Sequence, residues 1–158
     1  MKGMSQAFME EAIRLSIEHM RAGHGGPFGA VVVRDRLILG RGWNQVTSAK
    51  DPTAHAEIVA IREACSRLGT FRLDGCEIYA SCEPCPMCLG AIYWACLDRL
   101  YFAATREDAA AAGFDDAAIN REIPLPPRAR KLPSIQVLRE LALPAFAEWQ
   151  ALPGKIKY

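Results

Sequence analysis

The segment SCEPCPMCLG, residues 81–90, places three cysteines within seven positions and two prolines among them. Three kinds of site use such a pattern: a disulfide framework, an iron–sulfur cluster, or a zinc site completed by a ligand from elsewhere in the chain. An iron–sulfur cluster usually requires four thiolates, but the next cysteine after these three is Cys96. Zinc accepts cysteine and histidine together in a tetrahedron, and a catalytic zinc leaves one corner for water. The rest of the sequence must discriminate between these interpretations.

Size and charge restrict the class of protein. The chain has 158 residues, which is typical of one domain that builds its core without disulfides. Its formal net charge is +1, so no general attraction to nucleic acid or to anionic membranes is expected. The longest apolar run, 87–97, is too short to span a bilayer, and the amphipathic N-terminus lacks the apolar block of a signal peptide. We therefore expect a cytoplasmic, reducing location, where the six cysteines serve as metal ligands and buried thiols.

Helical and extended segments alternate along the chain. Hydrophobic periodicity predicts helices within 5–23, 51–69, 86–95 and 106–114, strands at 28–33, 36–43, 76–80 and 99–104, and a helical start to the tail from 138. Ser5 is expected to cap the first helix, and Asp51 or Thr53 the second. Four prolines make 123–133 an extended connector. The alternation predicts an α/β layered fold with a mixed central sheet.

His55 is the expected third metal ligand, because it opens a predicted helix in PTAHAE and a carboxylate follows two residues later. Spacing alone does not select the cysteines, since Cys82/Cys85 and Cys85/Cys88 are both C-x-x-C pairs. Helix geometry favours the second pair, whose members face one side at the start of a helix, with Pro86 at the first helical position. The free amide groups and the positive dipole end of that helix would support thiolates. Cys82 is then expected to be a buried thiol that ends a strand.

The remaining histidines and cysteines are expected to bind no metal. His24 lies in a glycine-rich loop, where a solvated side chain is the ordinary interpretation. His19 lies late in the first helix, where a cation suits the helix dipole. The other three cysteines are expected to be buried thiols: Cys65, Cys76 and Cys96.

Glu57 is the residue that points to catalysis. Residues two apart on a helix point in different directions, so Glu57 is not needed as a ligand beside His55. It could still reach a site lying off the first turn of the helix and face a water molecule there. A zinc ion with two thiolates and one neutral imidazole carries no formal net charge, and it acidifies water less than a zinc ion with three imidazoles. A neighbouring carboxylate that accepts the proton would compensate for this weakness.

Two motifs, H-A-E at 55–57 and P-C-P-M-C at 84–88, carry a resemblance to a known family. The pattern H-x-E followed by P-C-x-x-C is typical of zinc-dependent nucleobase deaminases. The chain resembles the cytidine deaminase-like superfamily and, within it, the bacterial guanine deaminases. The resemblance also rests on GGPFGAV, DPTAHAE, AGFDD and the C-terminal KY, so it covers nearly the whole chain. AGFDD and the terminal tyrosine are the features that point to guanine.

The resemblance implies a three-layer α/β/α fold, one Zn²⁺ ion per subunit, and hydrolysis of guanine to xanthine and ammonia. It also implies a homodimer in which a C-terminal segment, about 134–158, is exchanged between subunits and closes the partner's site. By position, His55, Cys85 and Cys88 would hold zinc, and Glu57 would carry protons. Asp116 would be a second acidic group near the leaving amine. The implied substrate-binding residues are Phe28, Asn44, Ala56, Trp94 and Tyr158.

Other functions stay open at this point. A tRNA adenosine deaminase would share the zinc motif, but its substrate needs a basic surface, and the only basic clusters are 128–131 and Lys155 with Lys157. The same chemistry could also act on a related base, a nucleoside or an aminotriazine such as ammeline. A non-catalytic zinc-binding protein would have no need of Glu57.

Overall fold

A computed structural model describes residues 2–157 of the chain and, within the first helix, the side chains from Ser5 onward. The helices within this range are α1 (Lys2–Arg21), α2 (Val46–Ala49), α3 (Ala56–Leu68), α4 (Pro86–Trp94), α5 (Arg106–Ala111), α6 (Ala117–Glu122) and α7 (Arg139–Ala151). The strands are β1 (Gly29–Arg34), β2 (Leu37–Trp43), β3 (Glu77–Cys82) and β4 (Arg99–Ala104). A 3₁₀ turn covers Pro127–Ala129. None of the described helices combines the length and apolar character needed to cross a bilayer.

The four strands form one mixed sheet in the order β2-β1-β3-β4. Strand β1 runs antiparallel to both β2 and β3, whereas β3 and β4 run parallel. The β1–β2 hairpin turns through Asp35 and Arg36, both of which have positive φ, as a tight two-residue turn requires. The predicted mixed sheet is therefore confirmed.

Both faces of this sheet are covered. Alternate residues of a strand point to opposite faces, so Ala30 and Val32 of β1 belong to a core shared with α3 and α4. Val31 and Val33 belong to a second core, which they share with Leu15 of α1. The arrangement of α1, sheet, and α3 with α4 is the predicted three-layer α/β/α fold.

Glycines in β2 allow α3 to pack unusually close to the sheet. A Cβ atom at Gly42 would lie 1.9 Å from the carbonyl oxygen of Ala56, and one at Gly40 would lie 2.1 Å from that of Ala60. Helix α3 therefore rests on the strand backbone itself. This contact sets the position of the first turn of α3, which follows His55 and contains Glu57.

Three local predictions differ from the structure. Helix α1 begins at Lys2, so Ser5 lies inside the helix and does not cap it. His55, and neither Asp51 nor Thr53, occupies the N-cap position of α3, and its side chain makes no capping hydrogen bond. The Asp51 carboxylate instead accepts hydrogen bonds from the Thr53 amide and hydroxyl groups at 2.8 and 2.7 Å, which closes a local turn before the helix. The short helices α2 and α6 were also not predicted.

The chain divides into two compact units, one up to Asp116 and one from Ala117 onward. The first unit contains the sheet and α1 to α5. The second contains α6, the 3₁₀ turn and α7, and its segment 133–138 has no regular secondary structure. Many large apolar side chains of the second unit are exposed: Ile119, Ile123, Leu132, Ile135, Val137, Leu138, Leu141, Leu143, Phe146, Trp149, Leu152 and Ile156.

Candidate metal and active site

The N-terminal ends of α3 and α4 lie close together and bring three ligand atoms into one group. His55 is the N-cap residue of α3, Cys85 is the N-cap residue of α4, and Cys88 lies in the first turn of α4 after Pro86. The Nδ1 atom of His55 lies 3.6 Å from Cys85 Sγ and 3.5 Å from Cys88 Sγ. The three ligand atoms all lie within 4.8 Å of one another, and among the described residues this is the one such group of metal-ligating side chains.

The spacing of these atoms fits zinc. Zinc binds sulfur at about 2.3 Å and imidazole nitrogen at about 2.0–2.1 Å, so tetrahedral geometry separates sulfur and nitrogen ligands by about 3.6 Å. The observed nitrogen–sulfur distances of 3.5 and 3.6 Å match that value. Three protein ligands would leave the fourth corner of the tetrahedron for water, as in catalytic zinc sites.

The electrostatics of the two thiols also fit a cation. The pKa of Cys85 falls to about 4, chiefly through a hydrogen bond from the Cys88 thiol and against the effect of burial, with help from His55 and from the Cys88 backbone N–H. The pKa of Cys88 rises because it donates that hydrogen bond and is buried. Hydrogen bonding to Cys85 raises the pKa of His55. A divalent cation that displaced the protons of these two thiols would stabilise both of them as thiolates.

Glu57 is buried beside these ligands, with 8% of its surface exposed. The Cys88 thiol lies close enough to this carboxyl group that each group affects the pKa of the other. Burial is the main cause that raises the pKa of Glu57. A carboxyl group in the first turn of α3 is thus placed next to the candidate metal site, out of bulk solvent, as the sequence predicts.

The choice between the two C-x-x-C pairs is resolved by the fold. Cys82 is buried at the end of β3, and its Sγ lies 3.4 Å from the Thr105 carbonyl oxygen, outside the ligand group. Cys76 is also buried, as predicted, whereas Cys65 and Cys96 are only half-buried.

Asn44 follows β2 directly and is buried, with 7% of its surface exposed. Its side-chain Oδ1 accepts hydrogen bonds from the backbone N–H groups of Gly26 and Val46, at 3.1 and 3.2 Å. These two bonds fix the orientation of the amide, because they occupy both acceptor positions of the oxygen. Within the described part of the chain, no hydrogen-bond partner is seen for the amide nitrogen of Asn44. Every fully buried side-chain nitrogen or oxygen in that part of the chain has a partner, so this nitrogen is not fully buried. The NH₂ group of Asn44 is therefore accessible and can donate a hydrogen bond.

The other predicted substrate-binding residues occupy different environments. Phe28 is half-buried and its ring meets that of Phe114 edge to face, with centroids 4.9 Å apart. Ala56 is buried as the first residue of α3. Trp94 ends α4 and is 68% exposed. Their contact with substrate stays a prediction.

Two further predictions concern the acidic loop and the C-terminus. Asp116 is half-buried, and its charge interacts with that of Arg106. Its catalytic role stays a prediction. Tyr158, predicted to cover the substrate pocket, lies outside the described residues.

A cluster of rings beside Asn44 was not predicted from the sequence. The His19 ring lies flat on the indole of Trp43, with centroids 3.6 Å apart and planes 5° apart. His24 Nδ1 lies 2.9 Å from His19 Nδ1. His24 was expected to be a solvated side chain and His19 a cation near the C-terminal end of its helix, so their contact with each other and with Trp43 was not foreseen.

Comparisons with known proteins agree with this site. Residues 3–104 match the cytidine and deoxycytidylate deaminase zinc-binding region. Guanine deaminase from Bacillus subtilis (strain 168) is 50% identical over 153 residues, which cover 97% of this chain and 98% of that protein. The X-ray structure of guanine deaminase from Bacillus subtilis matches with a TM-score of 0.94 at 50% identity, again over 97% of this chain and 98% of the other.

A more partial relative is the tRNA-specific adenosine deaminase of Aquifex aeolicus (strain VF5). It is 43% identical over 99 residues, which cover 61% of this chain and 64% of that protein. The matched zinc-binding region contains every residue of the candidate metal site and Glu57. The chain belongs to the cytidine and deoxycytidylate deaminase family of zinc-binding proteins.

Proposed function

We propose that this chain hydrolyses guanine to xanthine and ammonia. The observation that carries the proposal is the fraction of the chain that each relative matches. It extends over 97% of the chain with a guanine deaminase, but over 61% with a tRNA-specific adenosine deaminase. A shared zinc motif alone would give only the shorter match. The second unit of the chain therefore supports guanine as the substrate.

His55, Cys85 and Cys88 would hold the zinc ion. When bound, zinc supplies a water molecule acidified enough to attack an electron-poor carbon near neutral pH. The overall reaction forms a carbon–oxygen bond at C2 of guanine and breaks the bond between C2 and its amino nitrogen. One water is consumed, and the nitrogen leaves as ammonia.

Glu57 moves the protons that are required when oxygen replaces the amino group at C2. Its carboxylate accepts a proton from the attacking water and delivers it to the ring nitrogen next to C2. The hydroxyl group now on C2 must then lose its remaining proton and the amino group must gain one. Glu57 or Asp116 would transfer that proton, so that the C2 carbonyl forms as the nitrogen leaves as ammonia. General acid–base assistance of this kind contributes on the order of 10²–10⁴ in rate.

Asn44 would bind the base through its amide nitrogen. Its Oδ1 is occupied by backbone amides, so the group that it presents is a hydrogen-bond donor. Guanine offers two acceptors on one edge, N7 and O6, whereas adenine offers N7 beside an NH₂ donor. A donating amide could bond either acceptor of the guanine edge, and on adenine it could bond N7, so Asn44 would position the base and would not by itself select guanine. Phe28 and Trp94 would supply ring surfaces for the base, and Ala56 would supply backbone contacts.

The active enzyme is proposed to be a homodimer that exchanges residues from about 134 to 158. Strand β4 is an edge of the sheet, and its Phe102 is exposed. The segment 133–138 pairs with no described strand, and its alternate residues Ile135 and Val137 are 83% and 72% exposed. If this segment paired with β4 of a second copy, the open edge of β4 and the backbone of the segment would both gain hydrogen-bond partners. Tyr158 would then cover the partner's pocket.

All six cysteines are free thiols in the structure, which supports the proposed location in the reducing cytoplasm.

The substrate is tested by measuring ammonia release from guanine, guanosine, adenine, cytosine, cytidine and ammeline. We expect guanine to have the highest kcat/KM of the set. Inosine formation in a tRNA anticodon, with no release of ammonia from guanine, would contradict the proposal.

The exchange is tested by co-expressing two inactive chains, Glu57→Gln and a chain truncated after residue 133. The truncated chain keeps Glu57, and the other chain keeps the C-terminal segment. Mixed dimers should therefore regain activity that neither variant shows alone. Mixed dimers without activity would contradict the exchange.

A further inference from the structure

We infer that His19, His24 and Trp43 form a clamp that positions Asn44 for substrate binding. We call this set the histidine clamp. The inference rests on the proposed function, because it assigns positioning residues to the same site. None of the three needs to touch the substrate.

The clamp joins three separate parts of the fold. His19 lies near the end of α1, His24 lies in the glycine-rich loop that follows, and Trp43 is the last residue of β2. The rings of His19 and Trp43 are stacked with centroids 3.6 Å apart. The two histidines are joined twice, by their Nδ1 atoms at 2.9 Å and by the backbone N–H of His24, which donates to the His19 carbonyl at 3.0 Å.

Two members of the clamp, Trp43 and His24, are neighbours in sequence of Asn44 or of residues that contact it. Trp43 precedes it in the chain, and His24 precedes the two glycines that touch it. Gly26 donates its backbone N–H to Asn44 Oδ1 at 3.1 Å. Gly25 lies so close that a Cβ there would be 2.5 Å from the same oxygen. A shift of this loop therefore changes the direction of the Asn44 amide.

The contact between the histidines has a chemical requirement. One imidazole must carry a proton on Nδ1 and the other must accept it. A side chain without a polar atom at that position cannot replace His24. Asparagine can, because its amide places a donor and an acceptor at a similar distance from the backbone.

The first experiment compares kinetics of the zinc-loaded dimer. We expect His24→Ala to raise KM for guanine about two- to tenfold, the effect of one hydrogen bond, while kcat and zinc content stay unchanged. His24→Asn should restore KM to near the original value. Arg21→Ala removes an exposed side chain at the end of the same helix and is the control that should leave KM unchanged. In the double variant His19→Ala/His24→Ala, the increase in KM should be smaller than the combined effects of the two single variants, because both substitutions remove the same contact.

The second experiment measures hydrogen exchange of the Gly26 amide, which reports the loop without any substrate. We expect His24→Ala to accelerate this exchange and His24→Asn to leave it near the original rate. An unchanged Gly26 exchange rate and an unchanged KM in His24→Ala would overturn the inference. If the original chain released no ammonia from guanine, the proposed function would fail. The exchange rate of Gly26 would still decide whether the clamp exists.

Discussion

The contact between Gly42 and α3 leads to a prediction that links packing to chemistry. Gly42 is buried in β2, where it pairs with Ala30. In Gly42→Ala the new methyl carbon would lie 1.9 Å from the Ala56 carbonyl oxygen and 2.6 Å from the Ala60 nitrogen. Both neighbours are helix backbone and cannot rotate away. The N-terminal end of α3 must therefore move.

The size of this movement follows from the distances. A side-chain carbon is essentially never found within 3.0 Å of such atoms, so the helix end must retreat by at least about 1 Å. Metal ligands tolerate about 0.2 Å of error, and a 1 Å misplacement of catalytic groups can cost about 10² in rate. Overpacking of a core also costs about 1–3 kcal/mol of stability. We expect Gly42→Ala to lose that stability, to bind zinc at least about tenfold more weakly, and to lose about 10² in kcat/KM.

Gly40→Ala is the matched control. Its methyl carbon would meet Ala60 and Ala64 at 2.1 and 2.8 Å, a similar clash one turn further from His55 and Glu57. Urea unfolding should show comparable losses of stability in the two variants. Competition with a chromophoric chelator should show that zinc affinity falls mainly in Gly42→Ala. Wild-type zinc affinity and wild-type turnover in Gly42→Ala would refute the reasoning.

Three further predictions follow from single contacts. Cys85→Ala should lose bound zinc in metal analysis, whereas Cys82→Ala should retain it; loss from both variants would contradict the ligand assignment. Asn44→Asp keeps an oxygen for the two backbone amides but removes the donor, so kcat/KM for guanine should fall by about 10² with an unchanged circular dichroism spectrum; unchanged kinetics would contradict the donor role. The Arg14 guanidinium holds the pKa of Glu11 at about 2, so stability from this pair is present above about pH 4.5 and is lost as pH falls toward 2; Glu11→Gln should flatten that part of the acid unfolding curve, and an identical curve would contradict the pairing.

The metal site was largely predictable from the sequence because few functions other than metal binding require histidine and cysteine in this pattern. A histidine and a glutamate two residues apart, together with cysteines before and after a proline, predict ligands at two helix starts. The structure places His55 and Cys85 at those starts. The ambiguity between Cys82 and Cys88 was resolved by a rule of helix geometry, since only Cys88 lies within the first turn of α4.

Features that depend on tertiary contacts were not predictable. Asp51 and Thr53 both suit a helix cap, but they bond to each other and leave that position to His55. The stacking of His19 on Trp43 requires β2 to return beside the end of α1, which no local pattern encodes. The orientation of the Asn44 amide likewise depends on a loop 18 residues earlier in the chain.

The central claim is that Glu57 serves proton transfer and does not serve metal binding. It is tested most directly by Glu57→Gln, with zinc content and guanine turnover measured on the same sample. We expect one zinc ion per chain to remain and turnover to fall by about 10²–10⁴ or more. Turnover close to that of the unchanged chain, with zinc still bound, would contradict the claim.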